Sequence, residues 1–248
     1  MNVRNLVSYT LQLASTKGVR FTISSGLTRL FHLVYYIKFR SHKKTFVFRG
    51  RQYSYFHHYY NTTWYSERAV ELPIIFEIIE KHPGKEILEI GNVLSHYLNI
   101  AHDVVDKFES GVHITNEDAA EFKTSKLYDL IISISTLEHI GWDEAPRDDT
   151  KILRVLDNLM SLLSENGEMI VTLPLGYNLT LDKLLKMKVI QFDDQYCLKR
   201  ISKSNEWVEV SCEELDNISY GKPFPEANGL LVAISQRRKT WKNSSQKR

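Results

Sequence analysis

The chain has 248 residues, 43% of them hydrophobic and 25% charged. That length supports one α/β domain with a sizeable core plus an extension, and that balance excludes wholesale disorder. No apolar run is long enough to span a bilayer: Leu27 to Phe39 comes nearest and is broken by Arg29, His32 and Lys38. The formal charge of +2 hides an asymmetry, because residues 1–66 hold ten basic residues and no acidic one, leaving 22 basic and 30 acidic residues, or −8, for the rest. Such a segment calls for an anionic partner: a membrane surface, nucleic acid, a phosphorylated carrier, or the acidic body of the protein itself. Cys197 and Cys212 form no CxxC and no metal-ligand spacing, which points to a reducing, cytoplasmic compartment.

Three zones follow in order: a basic, aromatic extension over 1–66, a domain over 67–236, and a polar tail over 237–248. Pro73 opens a helix whose apolar face is Ile74, Ile75, Ile78 and Ile79, stopped by His82-Pro83-Gly84. Glu86 to Ile90 reads as a strand meeting a turn at Gly91, and Val93 to Ile100 as a helix. Asp103 to Asp106 is a second strand and Gly111 to Thr115 a third. The link between them is too short for a crossover helix, so either that helix is missing or the third strand is misplaced. Leu127 to Ser135 is apolar on both faces, as a buried parallel strand is. Ile152, Val155, Leu156, Leu159 and Leu163 mark a helix closed by Asn166-Gly167, and Glu168 to Pro174 is the next buried strand. Trp207 to Ser211 and Gly229 to Ser235 are the last two strands. The order predicts an α/β sandwich, a mostly parallel sheet finished by an antiparallel pair.

In such a sheet, ligands bind beyond the C-terminal strand ends. There the sequence puts Glu89 and Gly91 after the first strand and Asp106 after the second. The series Glu89-Ile-Gly91, Asp106, Asp118-Ala119, the stretch from Asp129 to Leu137-Glu138-His139, and Leu163 to Val171 resembles class I S-adenosylmethionine (SAM)-dependent methyltransferases. It does so over roughly residues 67–178. The resemblance implies a Rossmann-like core and SAM as cofactor. It implies Glu89 and Gly91 at the methionine end, Asn92 among the cofactor-binding residues, Asp106 at the ribose, and Asp118 and Ala119 at the adenine. Ser135, Thr136 and His139 would form the rim. The loop is glycine-poor, running Gly91-Asn-Val-Leu-Ser95, and Asp118 reads equally as a helix cap.

Trp142, Asp143 and Glu144 follow the fourth strand in a segment too polar for core, and Tyr177 and Asn178 follow the fifth at the same edge. Aromatic, amide and carboxylate groups there suit a small-molecule or glycan acceptor, with Trp207 and Asn228 contributing from the last third. His139 is the expected general base, oriented by Glu138 or Asp143. His57-His58 and the other histidines have no metal spacing, so no metal is expected. Leu27, Leu30, Phe31, Val34 and Tyr35, at helical spacing among basic residues, suit peripheral contact with a membrane or packing on the domain or on a second subunit. Two rival readings stand beside the enzyme: a non-catalytic or differently liganded Rossmann-like protein, and a nucleic-acid methyltransferase, for which no base-modifying motif is present.

Overall fold

The structure is a computed structural model and describes residues 44–58 and 60–237. The amphipathic stretch from Leu27 to Tyr35 and all of the tail beyond Arg237 lie outside the described residues.

A hairpin comes first, β1 (Thr45–Phe48) and β2 (Arg51–Ser54). Helix α1 (Arg68–Glu80) leads into β3 (Ile87–Ile90), β4 (Asp103–Val105), β5 (Ile114–Thr115) and β6 (Tyr128–Ile134). Helix α2 (Lys151–Ser161), β7 (Leu163–Pro174), α3 (Leu179–Lys186), β8 (Asp194–Arg200), β9 (Trp207–Val210) and β10 (Gly229–Gln236) complete the chain. The eight-stranded sheet has the order β5-β4-β3-β6-β7-β10-β8-β9. The first five strands in that order pair in parallel, and the last three join antiparallel. This is the mostly parallel α/β sheet with antiparallel C-terminal strands that the sequence predicts.

The apolar run of β6 explains the layering. Tyr128 and Ile131 pack with Val155 and Leu159 of α2, whereas Leu130, Ile132 and Ile134 pack with Leu72 and Ile75 of α1. Strand alternation sends successive residues to opposite faces, and both faces are covered, so every apolar residue in the run is buried. Each such burial contributes about 1.5–3 kcal/mol.

Several local expectations are corrected. Helix α1 starts at Arg68, so Pro73 lies inside it. Proline leaves the carbonyl four residues earlier without its helical partner. That carbonyl, Ala69 O, accepts instead from Phe56 N at 2.9 Å. The helix expected over Val93 to Ile100 is a single 3-10 turn, Leu94–His96. There the Ser95 hydroxyl donates to Asn92 Oδ1 at 2.5 Å, the kind of local bond that competes with a helix. Asn166-Gly167 does not close α2, which ends at Ser161. The pair lies in an irregularity of β7 where the β6–β7 register shifts between Tyr128 and Leu130. Between β4 and β5 there is a short turn and no helix, and the third strand is present.

Sequence patterns gave no hint of β1, β2, α3 or β8. Phe46, Phe48 and Tyr55 share one core cluster with Val70, Leu198, Trp207 and Leu230, so the hairpin packs on the domain expected to start at residue 67. Cys197 and Cys212 form a disulfide that ties β8 to the 3-10 turn after β9. The cysteines are thus paired, and they no longer argue for a reducing compartment. Among the described residues no helix is long and apolar enough to cross a membrane, and no cluster of metal-ligating residues is present.

Candidate functional site

Strand order reverses at β3: the chain passes from β3 to β4 on one side, then returns to β6 on the other. Such a switch point leaves a crevice beyond the C-terminal strand ends. A solvent-open cleft lies there, lined among others by Arg68, Gly91, Asn92, Tyr97, Asp106 and Thr136. Tyr60 and His96 also line it and stack, with centroids 4.3 Å apart.

Gly91 ends β3 at φ +84°, and its N–H donates to Val105 O at 2.9 Å. A Cβ at this position would collide with the Thr136 side chain, coming within 2.9 Å of its Cβ. The glycine therefore serves the close approach of two chain segments beside the cleft. Asp106 caps the following turn: Oδ1 accepts from Phe108 N at 2.8 Å and Glu109 N at 2.7 Å, and Oδ2 accepts from Asn92 N at 2.8 Å. A carboxylate has about four lone-pair sites, so roughly one remains for a ligand. Asn92 Nδ2 donates to Glu109 Oε2 at 2.6 Å, which brings a second carboxylate into the cleft.

Glu89 is placed differently from the expectation. It is fully buried; Oε1 accepts from Val93 N and Leu94 N, both at 2.8 Å, and Oε2 meets His102 Nε2 at 2.9 Å. Its carboxylate shapes the loop from inside. Asp118 is likewise engaged: Oδ1 accepts from Ala120 N, while Oδ2 pairs with Lys151 and, at 3.0 Å, with Lys107. Glu144 joins the same two lysines. Burial pushes the Asp118 carboxyl up, but its bonds to Lys151, the Ala120 amide and Lys107 outweigh this and hold it at about 2. Ala119 is buried in the core, and its carbonyl accepts from Asn158. Ser135, at φ +40°, is buried and bonded to Glu71 rather than open to the cleft.

The rim forms a connected set. His139 Nδ1 meets Asp143 Oδ2 at 2.5 Å, and Tyr177 donates its hydroxyl to the same oxygen at 2.6 Å. Burial raises the Asp143 carboxyl, and the bonds from His139 and Tyr177 more than reverse this. Trp142 carries the Arg147 guanidinium at 3.4 Å from its ring centre. Asn178 is internal: it caps α3 by accepting from Leu181 N at 2.9 Å and donates to Glu138 O at 2.8 Å. Trp207 and Asn228 are also internal, bonded to Asn205 and to turn carbonyls.

Patterns did not reveal a buried acidic group behind the cleft. Glu67, Glu71 and Glu138 are all buried, with Arg68 among them; Arg68 Nη1 donates to Glu71 Oε2 at 2.8 Å and to Ile134 O at 3.0 Å. The available signal was Glu67-Arg68-Ala-Val-Glu71, charge placed directly before an apolar helix. Burial is the main cause that raises both Glu67, to about 7, and Glu138.

No protein-family model matches the chain, and no curated protein shows significant sequence similarity to it. Similar solved structures are SAM-dependent methyltransferases. One is the N-methyltransferase NodS from Bradyrhizobium japonicum with S-adenosyl-L-homocysteine, at 14% identity and TM-score 0.44, covering 66% of this chain and 83% of that one. A second is a SAM-dependent methyltransferase from Thermotoga maritima, at 15% identity and TM-score 0.41, covering 63% and 83%. A third is the glycopeptide N-methyltransferase MtfA, at 10% identity and TM-score 0.37, covering 65% and 87%.

Proposed function

We propose that the chain is a SAM-dependent methyltransferase acting on a small-molecule or glycan acceptor. The observation that carries this reading is the cleft at the sheet's switch point, where Gly91, Asp106 and Thr136 stand at the ends of three neighbouring strands. The cleft offers donors and acceptors of the kind the cofactor needs, and the buried Tyr97 hydroxyl has no hydrogen-bond partner of its own. Asp106, with its remaining lone pair, and Glu109 are the acceptors for the ribose hydroxyls. Bound SAM supplies an electrophilic methyl group. The satisfied carboxylates of Glu89 and Asp118 favour the rival, a differently liganded Rossmann-like protein, and one experiment separates the two. Calorimetry with SAM should give one saturable site per chain, weakened at least about tenfold by Asp106→Ala, the worth of one charge-assisted hydrogen bond. Absence of binding to the wild-type chain would overturn the reading, and unchanged affinity in folded Asp106→Ala would remove the ribose role.

His139 is the proposed general base. With the Nδ1 proton directed to Asp143, Nε2 keeps its lone pair, the tautomer that base catalysis needs. His139→Gln should lower turnover by about 10²–10⁴ with SAM affinity intact. Near-wild-type turnover would leave catalysis to proximity alone, and lost SAM affinity would move His139 into the cofactor site.

The proposed setting is the synthesis of a surface polysaccharide at an anionic membrane surface. Its support is the run of basic charge in residues 1–66. Flotation with liposomes should then show binding that depends on anionic lipid and falls with salt. Equal behaviour with neutral liposomes would rule the membrane out.

A further inference from the structure

Three buried carboxyls share one guanidinium in the acidic group behind the cleft, and they are not equally satisfied. Glu71 accepts from Arg68 and from the Ser135 hydroxyl. Glu67 accepts from Ala227 N at 3.3 Å. Glu138 is 1% exposed, and its Oε2 has no hydrogen-bond partner. The His139 Nε2 atom stands 3.6 Å from Oε1, too far for a hydrogen bond. Buried polar atoms are nearly always paired, so an orphaned carboxyl oxygen needs an explanation.

His139, next to Glu138, begins a run of three rings. His139 and Tyr177 meet edge to face with centroids 4.7 Å apart, and Tyr177 and Tyr220 do so at 5.1 Å. Both tyrosine hydroxyls are already committed, to Asp143 and to Glu226, each at 2.6 Å. What the tyrosines have left to offer a ligand is their aromatic rings and the acceptor lone pairs of the two phenol oxygens. Glu138 is close enough to both to raise their phenol groups electrostatically, though burial is the larger cause.

We infer that Glu138 and the rings of His139, Tyr177 and Tyr220 form the acceptor subsite, and that the group they take is a primary amine or its ammonium form. This rests on the adjoining cleft being the methyl-donor site, and it narrows the acceptor to an amine-bearing one. An ammonium supplies the donor that Oε2 lacks, offsets the excess of carboxyls over guanidinium, and is attracted by aromatic rings. A neutral hydroxyl supplies one weaker donor and no charge. The amine and Glu138 share a single proton: as ammonium and carboxylate, or, once an N–H bond breaks and an O–H bond forms, as free amine and carboxylic acid.

The test uses the full chain without cofactor. Affinities are measured by ligand-observed NMR for benzylamine against benzyl alcohol, glucosamine against glucose, and histamine against 4-methylimidazole. At least one amine should bind about tenfold more tightly than its neutral counterpart, and Glu138→Gln should abolish that preference. No preference for any amine in the panel would overturn the inference, as would a preference that survives Glu138→Gln. If that variant does not fold, Tyr177→Leu must weaken the same preference by several-fold. SAM calorimetry keeps the two readings apart. SAM binding without amine preference sinks the subsite alone, and amine preference without SAM binding sinks the methyltransferase reading alone.

Discussion

Replacing Gly91 by alanine is expected to cost about 2–5 kcal/mol of stability. Two independent causes add. At φ +84° an L-residue is strained by roughly 1–2 kcal/mol. The new methyl would also be driven into Thr136, within 2.6 Å of its Cγ2, and forcing an extra methyl into packed surroundings costs about 1–3 kcal/mol. Thr136 cannot simply turn away, because its hydroxyl donates to Ile134 O at 3.1 Å. A melting temperature lower by roughly 5–15 °C should result in a chain of this size. Adding Thr136→Ala should restore the steric part and leave the backbone part. A Gly91→Ala protein within about 1 kcal/mol of wild type would mean that the turn re-forms without a left-handed residue, and the close approach would lose its significance.

Stability should fall as pH rises from about 5 to 8, contrary to the usual acid-sensitive pattern. Glu67 is buried and its folded-state value is raised from 4.5 to about 7, first by burial and then by Glu71. A carboxyl raised in the folded state contributes stability that is complete below its unfolded value and is lost as pH climbs through the folded one. For Glu67 that window is pH 4.5 to 7, and the loss is on the order of 3 kcal/mol. Glu138 and Asp182, both raised mainly by burial, act in the same direction. Asp118, held at about 2, acts oppositely and only in acid, its contribution disappearing as pH drops below the ordinary carboxyl range. His57 and His58, both lowered by burial, oppose the decline below the ordinary imidazole range, so the fall should be clearest as pH approaches 7. Denaturant titrations across pH 4 to 8 test this, with Glu67→Gln expected to flatten the decline. A stability that climbs steadily from pH 5 to 8 would contradict it.

The layers of the fold were legible wherever burial is periodic. The run Leu130 to Ile134 and the spaced leucines of α2 each announce their element because packing repeats along the chain. β8 was not legible, because its side chains read Asp-Gln-Tyr-Cys-Leu-Lys-Arg and it is held through antiparallel pairing with β10, a contact no local pattern encodes. In the site, Gly91 and Asp106 were correctly located at the strand ends, yet the sequence could not tell that Asp106 already accepts three backbone N–H groups. Glu89 and Asp118 carry the right residue type for a ligand, but His102 and Lys151, distant in sequence, claim their oxygens. Conversely, Glu67, Arg68 and Glu71 resemble an ordinary charged helix start until the fold buries them.

The borrowed hydrogen bond at Pro73 bears on where this chain can be shortened. Composition suggests a cut before residue 67, where basic charge gives way to mixed charge. A chain trimmed there would lose Phe56, and with it the only N–H that reaches Ala69 O among the described residues. It would also strip Phe46, Phe48 and Tyr55 from the side of Trp207 and Leu230, leaving an apolar face of the sheet wet. A fragment beginning at Lys44 keeps all of these. The boundary that matters for expression and crystallisation thus lies upstream of the hairpin, some twenty residues from the one that charge alone would draw.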